Sequence, residues 1–156
     1  MPSITVREYN SESGALLNNA STLNFGRIIA GTTSRVKVID IAFTGITEVA
    51  NIKLGLISSG GLIVNTNPSD IGADGSSANG YFGIESTSAF DNTKASQPLS
   101  RHFAGLNPSA SASSSYNVSV SNRSATLSNY IYLDIEIGDS DTDAGNGAYK
   151  IFFDYA

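Results

Sequence analysis

Apolar and polar residues alternate with a period of two along most of this chain. In the run Tyr130-Ile-Tyr-Leu-Asp-Ile-Glu-Ile137, the residues Ile131, Leu133, Ile135 and Ile137 share one face, opposite Tyr130, Tyr132, Asp134 and Glu136. Tyr149, Ile151, Phe153 and Tyr155 alternate with Lys150, Phe152 and Asp154. Ile52, Leu54 and Leu56 alternate with Asn51, Lys53 and Gly55, and Tyr116, Val118 and Val120 with Asn117 and Ser119. This period predicts antiparallel strands with one face in a core and the other in water. Between residues 36 and 43 the alternation changes phase: Val36 and Val38 have one parity, Ile39, Ile41 and Phe43 the other. A bulge near Val38 and Ile39 would reset the facing. Further strands are predicted at 4–9, 22–29, 62–64 and 80–86, and one or two helical turns at 100–106.

Eight or nine short strands punctuated by Gly, Asn and Ser predict an all-β fold, an antiparallel β-sandwich of immunoglobulin-like or jelly-roll type. Gly60-Gly61 reads as a tight hairpin, because paired glycines accept the positive φ of such turns. Two connections, 66–79 and 87–115, exceed ordinary loop length. The second carries Phe90, Leu99, Phe103 and Leu106, apolar residues expected to dock on their own sandwich or on a neighbour. If Ile137 pairs with Tyr149 in a final hairpin, Tyr132 and Phe152 become diagonal neighbours on the outward face. Aromatic rings there mark either a contact surface or a patch that a long loop covers. Residues 1–156 read as one domain, in which 1–9 form an extended N-terminal arm whose Ile4 and Val6 are placed to add a strand to a neighbouring sheet.

Composition removes many functions. The chain has 156 residues, no Cys, a single His and a formal net charge of −5. Without Cys there are no disulfides, thiolate metal sites or thiol nucleophiles. The acidic balance argues against a nucleic-acid footprint. No apolar run reaches the roughly 18 residues of a membrane-spanning helix, and the N-terminus has no signal-peptide pattern, so a soluble protein is expected.

The most suggestive chemistry is Asp139-Ser-Asp141-Thr-Asp143-Ala-Gly145, whose alternate carboxylates in a turn suit calcium. The plain alternative is a solvated hairpin loop that uses Asp and Gly for turn geometry. His102 lies in a predicted long loop, and no Gly-x-Ser-x-Gly elbow accompanies it. Asp134 and Glu136 are expected on a solvated face, where no cleft raises a carboxyl pKa for glycosidase chemistry. No phosphate-cradling glycine loop is present. The expectation is a protein without enzymatic activity and without a cofactor, calcium excepted.

The segment Leu23-Asn-Phe-Gly-Arg-Ile-Ile-Ala-Gly-Thr-Thr-Ser34, with the strand that follows, resembles immunoglobulin-like modules in which such a stretch joins two early strands. Its continuation, Val49-Ala-Asn-Ile-Lys-Leu-Gly-Leu-Ile-Ser-Ser-Gly-Gly-Leu62, is similar to small virion structural proteins of tailed bacteriophages, including capsid-decorating (cement) and tail-associated proteins. The likeness is confined to 1–65 and brings no catalytic residue with it. It implies a virion-surface component that binds the major capsid protein or other coat subunits, stabilises them and forms a homo-oligomer. Ile4, Val6, Phe103, Tyr132 and Phe152 are the candidate interface residues, and Asp139, Asp141 and Asp143 the candidate calcium ligands. A tail, baseplate or fibre component, and a carbohydrate-binding or adhesive sandwich with calcium, are the alternatives.

Overall fold

Ile39, Ile41 and Phe43 project from one face of β3 (Lys37–Thr44), where a run of alternating branched and aromatic residues favours extended backbone. They meet Val49, Ile52 and Leu54 of β4 (Val49–Gly60), together with Ile84, Val120, Ile131 and Leu133, in one buried cluster. The computed structural model that contains this cluster describes residues 1–29, 31–60, 81–96, 98–102, 117–136 and 145–156.

Two antiparallel sheets supply the two sides of that cluster, as the period-two pattern predicts. The larger runs in the order β2 (Leu16–Asn19), β1 (Ser3–Tyr9), β3, β10 (Tyr130–Glu136), β5 (Tyr81–Thr87), β6 (Arg101–His102). A small hairpin of β8 (Asn122–Ser124) and β9 (Leu127–Ser128) attaches to β3 through Ala42 and Leu127. The smaller sheet is β11 (Gly145–Tyr155), β4, β7 (Val118–Val120). The all-β antiparallel architecture is therefore as expected. Each fully buried Ile, Leu or Val between the sheets contributes on the order of 1.5–3 kcal/mol, so this cluster dominates the fold's stability.

Several local expectations are corrected. β3 has no bulge: its register with β1 is unbroken from Ser3 opposite Thr44 to Tyr9 opposite Val38. The change of phase arises because both faces of β3 are buried, Ile39, Ile41 and Phe43 in the inter-sheet core and Val38, with Val36 just before the strand, in a second cluster on the outer face. The bulge lies in β4 instead, where the register with β11 shifts between Phe152 and Asp154 and Asn51 adopts φ 51°. Residues 22–29 form no strand. Asn24 Oδ1 accepts the Gly26 N–H at 2.8 Å and Gly26 sits at φ 73°. This local turn competes with sheet pairing, while Leu23 and Phe25 still pack on the core. Arg101 and His102 pair as a strand with β5, so no helix begins at residue 100. Among the described residues a helical turn occurs instead at Asn92–Ala95, a 3-10 segment capped by the Asp91 side chain on the Thr93 N–H.

The final hairpin is also corrected. β10 pairs with β3 and β5, whereas β11 pairs with β4 in the opposite sheet. β1 is no free arm: it lies between β2 and β3. The Gly60-Gly61 turn, the 62–64 strand and the 66–79 loop fall at or within stretches outside the described residues.

The outer face of the large sheet is closed by the chain that follows β5. Phe90 and Leu99 lie over Tyr132, Tyr130, Tyr9, Val36 and Val38. For Phe90 and Leu99, docking on their own sandwich is the expectation observed, while Phe103 and Leu106 lie outside the described residues. The ring centroids of Tyr9 and Tyr130 are 5.3 Å apart and those of Phe90 and Tyr130 5.8 Å, both edge to face.

Candidate functional site

Three side chains on the outer face of β10 and β5 hold this strap by its backbone. Tyr132 Oη accepts the Asp91 N–H at 2.8 Å and lies 2.8 Å from Thr87 Oγ1. Asp134 Oδ2 accepts the Leu99 N–H at 3.2 Å, and Glu85 accepts from Ser100 N at 3.0 Å and Lys94 Nζ at 2.6 Å. Gly83 makes this possible: a Cβ there would collide with Asp134 Oδ1 and stand 2.9 Å from Leu99 Cβ. Asp134 and Glu136 are thus buried, contrary to the solvated face expected of them. They lie on the predicted side of the strand, but that side is roofed. Glu136 Oε2 accepts from Thr33 Oγ1 at 3.4 Å, beside an isolated bridge between Thr33 and Glu136.

The strongest electrostatic feature lies further along the same face. Asp40 sits opposite Arg7 across the β1–β3 ladder and is fully buried. Arg7 Nε donates to Asp40 Oδ1 at 2.8 Å and Arg7 Nη2 to Oδ2 at 2.5 Å. This two-pronged geometry is what makes Arg–carboxylate pairs strong. Oδ2 also accepts from Arg123 Nη2 at 2.5 Å and from Tyr9 Oη at 3.0 Å. Burial pushes the Asp40 carboxyl up, but hydrogen bonds from Arg7, Arg123 and Tyr9 outweigh it and hold the group below its ordinary range. Tyr9 is pushed up by burial and by the Asp40 charge, and Arg7 is raised by its hydrogen bond to Asp40. Arg123 is fixed from two more directions, donating Nη1 to the Ser128 carbonyl at 2.8 Å and lying 4.2 Å over the Tyr130 ring. The second contact sets a cation against the electron-rich face of an aromatic ring.

The predicted interface residues separate. Tyr132 is fully buried under the strap, so it belongs to the interior and to no contact surface. Phe152 lies on the other sheet, half-buried, with Lys150 Nζ 5.5 Å from its ring centroid, and so is no neighbour of Tyr132. Ile4 is exposed near the start of β1, while Val6 is half-buried against the inter-sheet core. Phe103, Asp139, Asp141 and Asp143 lie outside the described residues. Among the described residues no group of three or more His, Asp or Glu is placed to hold a metal ion.

Two surface features lacked a clear signal in the pattern. Leu16 and Leu17 of β2 are 56% and 54% exposed. They lie on the end strand of the large sheet, and no described strand pairs with its outer edge. On the smaller sheet, the β4 bulge borders a half-open cavity of about 300 Å³ lined by Asn51, Lys53, Phe152 and Asp154, with Asn51 Nδ2 donating to Asp154 Oδ2 at 2.7 Å. Among the described residues no helix is long and apolar enough to cross a membrane. No family model, no curated protein and no solved structure matches this chain.

Proposed function

We propose that this chain is a non-enzymatic structural protein that binds neighbouring protein subunits, and that its setting is a tailed-bacteriophage particle, where it decorates and stabilises the capsid. The edge strand β2 is the observation that carries the binding part. Its sequence Leu-Leu-Asn-Asn has no charge, and all four residues are exposed. Natural edge strands are usually blunted by charge, proline or cover, and an open apolar edge is a template for an added strand. The likeness of 1–65 to capsid-decorating proteins supplies the setting. The buried carboxylates support a scaffold role, since Asp40, Asp134 and Glu8 each receive hydrogen bonds from groups of the same chain. Binding only the assembled lattice would stabilise that lattice by mass action.

Purified particles should contain the protein in stoichiometric amounts and should rupture more readily on heating when it is omitted. Recovery only as a free monomer, with particles unchanged by its absence, would overturn the reading.

A carbohydrate-binding role is the second reading, favoured by the cavity at the β4 bulge. There an aromatic ring, an amide and a carboxylate converge, the mixture that fits a hydroxylated ring ligand. Calorimetry with a glycan panel, with and without calcium, should give saturable heat; no heat from any combination removes it.

A further inference from the structure

Asp40 is one carboxylate serving two guanidinium groups. Arg7 and Arg123 both reach its Oδ2 at 2.5 Å. Their Nη2 atoms therefore lie within about 5 Å of each other, where like charges repel. Their other contacts among the described residues are to neutral groups: the Ser128 carbonyl accepts from Arg123, the Tyr130 ring faces Arg123, the Tyr9 hydroxyl lies against Arg123 and the Tyr9 ring faces Arg7. Other acids of the large sheet are already engaged: Glu8, on the inner face, by Lys37 at 2.9 Å, Glu85 by Lys94 at 2.6 Å, and Asp134 by the Leu99 N–H at 3.2 Å. Among the described residues the cluster thus holds two cations and one anion, a local surplus of positive charge in a chain whose formal net charge is −5.

Neither guanidinium is saturated. Each presents five N–H donors. Arg7 spends two of them on Asp40, and Arg123 spends two on Asp40 and the Ser128 carbonyl with the Tyr9 hydroxyl beside it, which leaves at least two on each. The side chains remain 26% and 17% exposed, so solvent reaches both. Asp40 and Tyr130 hold the two planes in place, so a ligand would meet donors that are already ordered.

We propose that Arg7 and Arg123 together form a binding site for a small oxyanion, a carboxylate or a phosphate, on the outer face of the large sheet. The fixed fork of a guanidinium matches both groups, and a bound anion neutralises the surplus charge. The inference rests on this charge count and on the unspent donors, and stands whether or not the chain binds coat subunits.

The test is a titration of the full chain, followed through the arginine Nε–H signals in nitrogen–proton NMR spectra, with sodium phosphate, sodium acetate and sodium chloride at matched ionic strength. The signals of Arg7 and Arg123 should move saturably with phosphate or acetate, while those of Arg27 and Arg35 stay in place and chloride has no effect. Tighter saturation by phosphate identifies a phosphate site, and equal or tighter saturation by acetate a carboxylate site. Equal shifts with all three salts, or none with any, overturn the proposal. Arg123→Lys keeps the charge but loses the fork, and should weaken phosphate binding at least tenfold with the spectrum otherwise folded. Arg123→Gln should abolish it. Unchanged saturation in a folded Arg123→Lys protein also overturns the proposal.

Discussion

Val38 and Ile39 are consecutive residues of β3, 0% and 3% exposed, and they are buried in two different hydrophobic clusters on opposite faces of one sheet. Ile39 belongs to the core between the sheets; Val38 belongs to the cluster that Phe90 and Leu99 close. The large sheet is thus the middle layer of three over part of its area.

Separate clusters predict separable energetics. Ile39→Ala and Leu99→Ala should each cost about 2–5 kcal/mol, the range for large-to-small substitutions in well-packed cores. Because the two side chains share no cluster, the double variant should lie within about 0.5 kcal/mol of the sum of the single ones. Urea unfolding of the four proteins measures this. A coupling well above that value would mean that the strap and the inter-sheet core form one packing unit.

Gly83→Ala should be destabilising by about 1–3 kcal/mol, the usual range for overpacking. The new methyl group meets Asp134 and Leu99. The strap should loosen first. Limited proteolysis between residues 88 and 100 should speed up in the variant more than cleavage elsewhere.

Asp40 gives the fold a defined acid sensitivity. Its folded-state pKa lies below its ordinary value. Its contribution is therefore fully present above the unfolded-state value of about 3.9 and is lost as pH falls through the lower folded-state value. Stability measured between pH 7 and pH 2 should decline at the acid end, and Asp40→Asn should flatten that part of the profile. At pH 7 the same substitution should cost about 3–5 kcal/mol, because it leaves two arginines around a neutral amide.

The exposed leucines of β2 make the opposite prediction. Leu17→Lys should change stability by less than about 0.5 kcal/mol, the usual bound for a surface substitution. The side chain it replaces is mostly in water. It should nonetheless reduce incorporation into particles, read from the amount retained after gradient purification. Undiminished retention would show that the β2 edge is not the binding surface.

At the β4 bulge, Asn51→Ala should cost about 1–2 kcal/mol more than Asn51→Gly, the steric penalty of a left-handed backbone that only alanine meets. Both variants lose the bond to Asp154, so that contribution cancels in the comparison. Thermal unfolding of the pair isolates the backbone contribution.

The period-two pattern makes the strand faces legible, and the faces of β10 and of β4 at Ile52 and Leu54 follow it residue by residue. What covers a face is less legible. Phe90 and Leu99 are too far apart in sequence to show any period, so the polar-looking side of β10 reads as solvated although Tyr132 and Asp134 are fully buried there. The phase change at Val38 has two physical sources that produce the same string, a bulge or burial on both faces, and only tertiary packing separates them. Pairing of β10 with β11 fails as an expectation because sequence neighbours are the commonest partners but not the rule. Asp40 does leave a trace, as a charge within the apolar run from Val36 to Phe43. Such a residue calls for a buried counter-charge. Its partners Arg7 and Arg123 come from elements far apart in the chain, and nothing local identifies them.

β4 receives its partner β11 from far along the polypeptide, with Tyr155 opposite Val49 and Gly145 opposite Gly60. Closing so wide a circuit is slow, and it comes after local hairpins such as β1–β2 have had time to form. During synthesis on the ribosome, the smaller sheet must therefore wait with β4 unmatched along one side until β11 emerges. An unpaired strand edge of that kind is the surface on which misassembly starts.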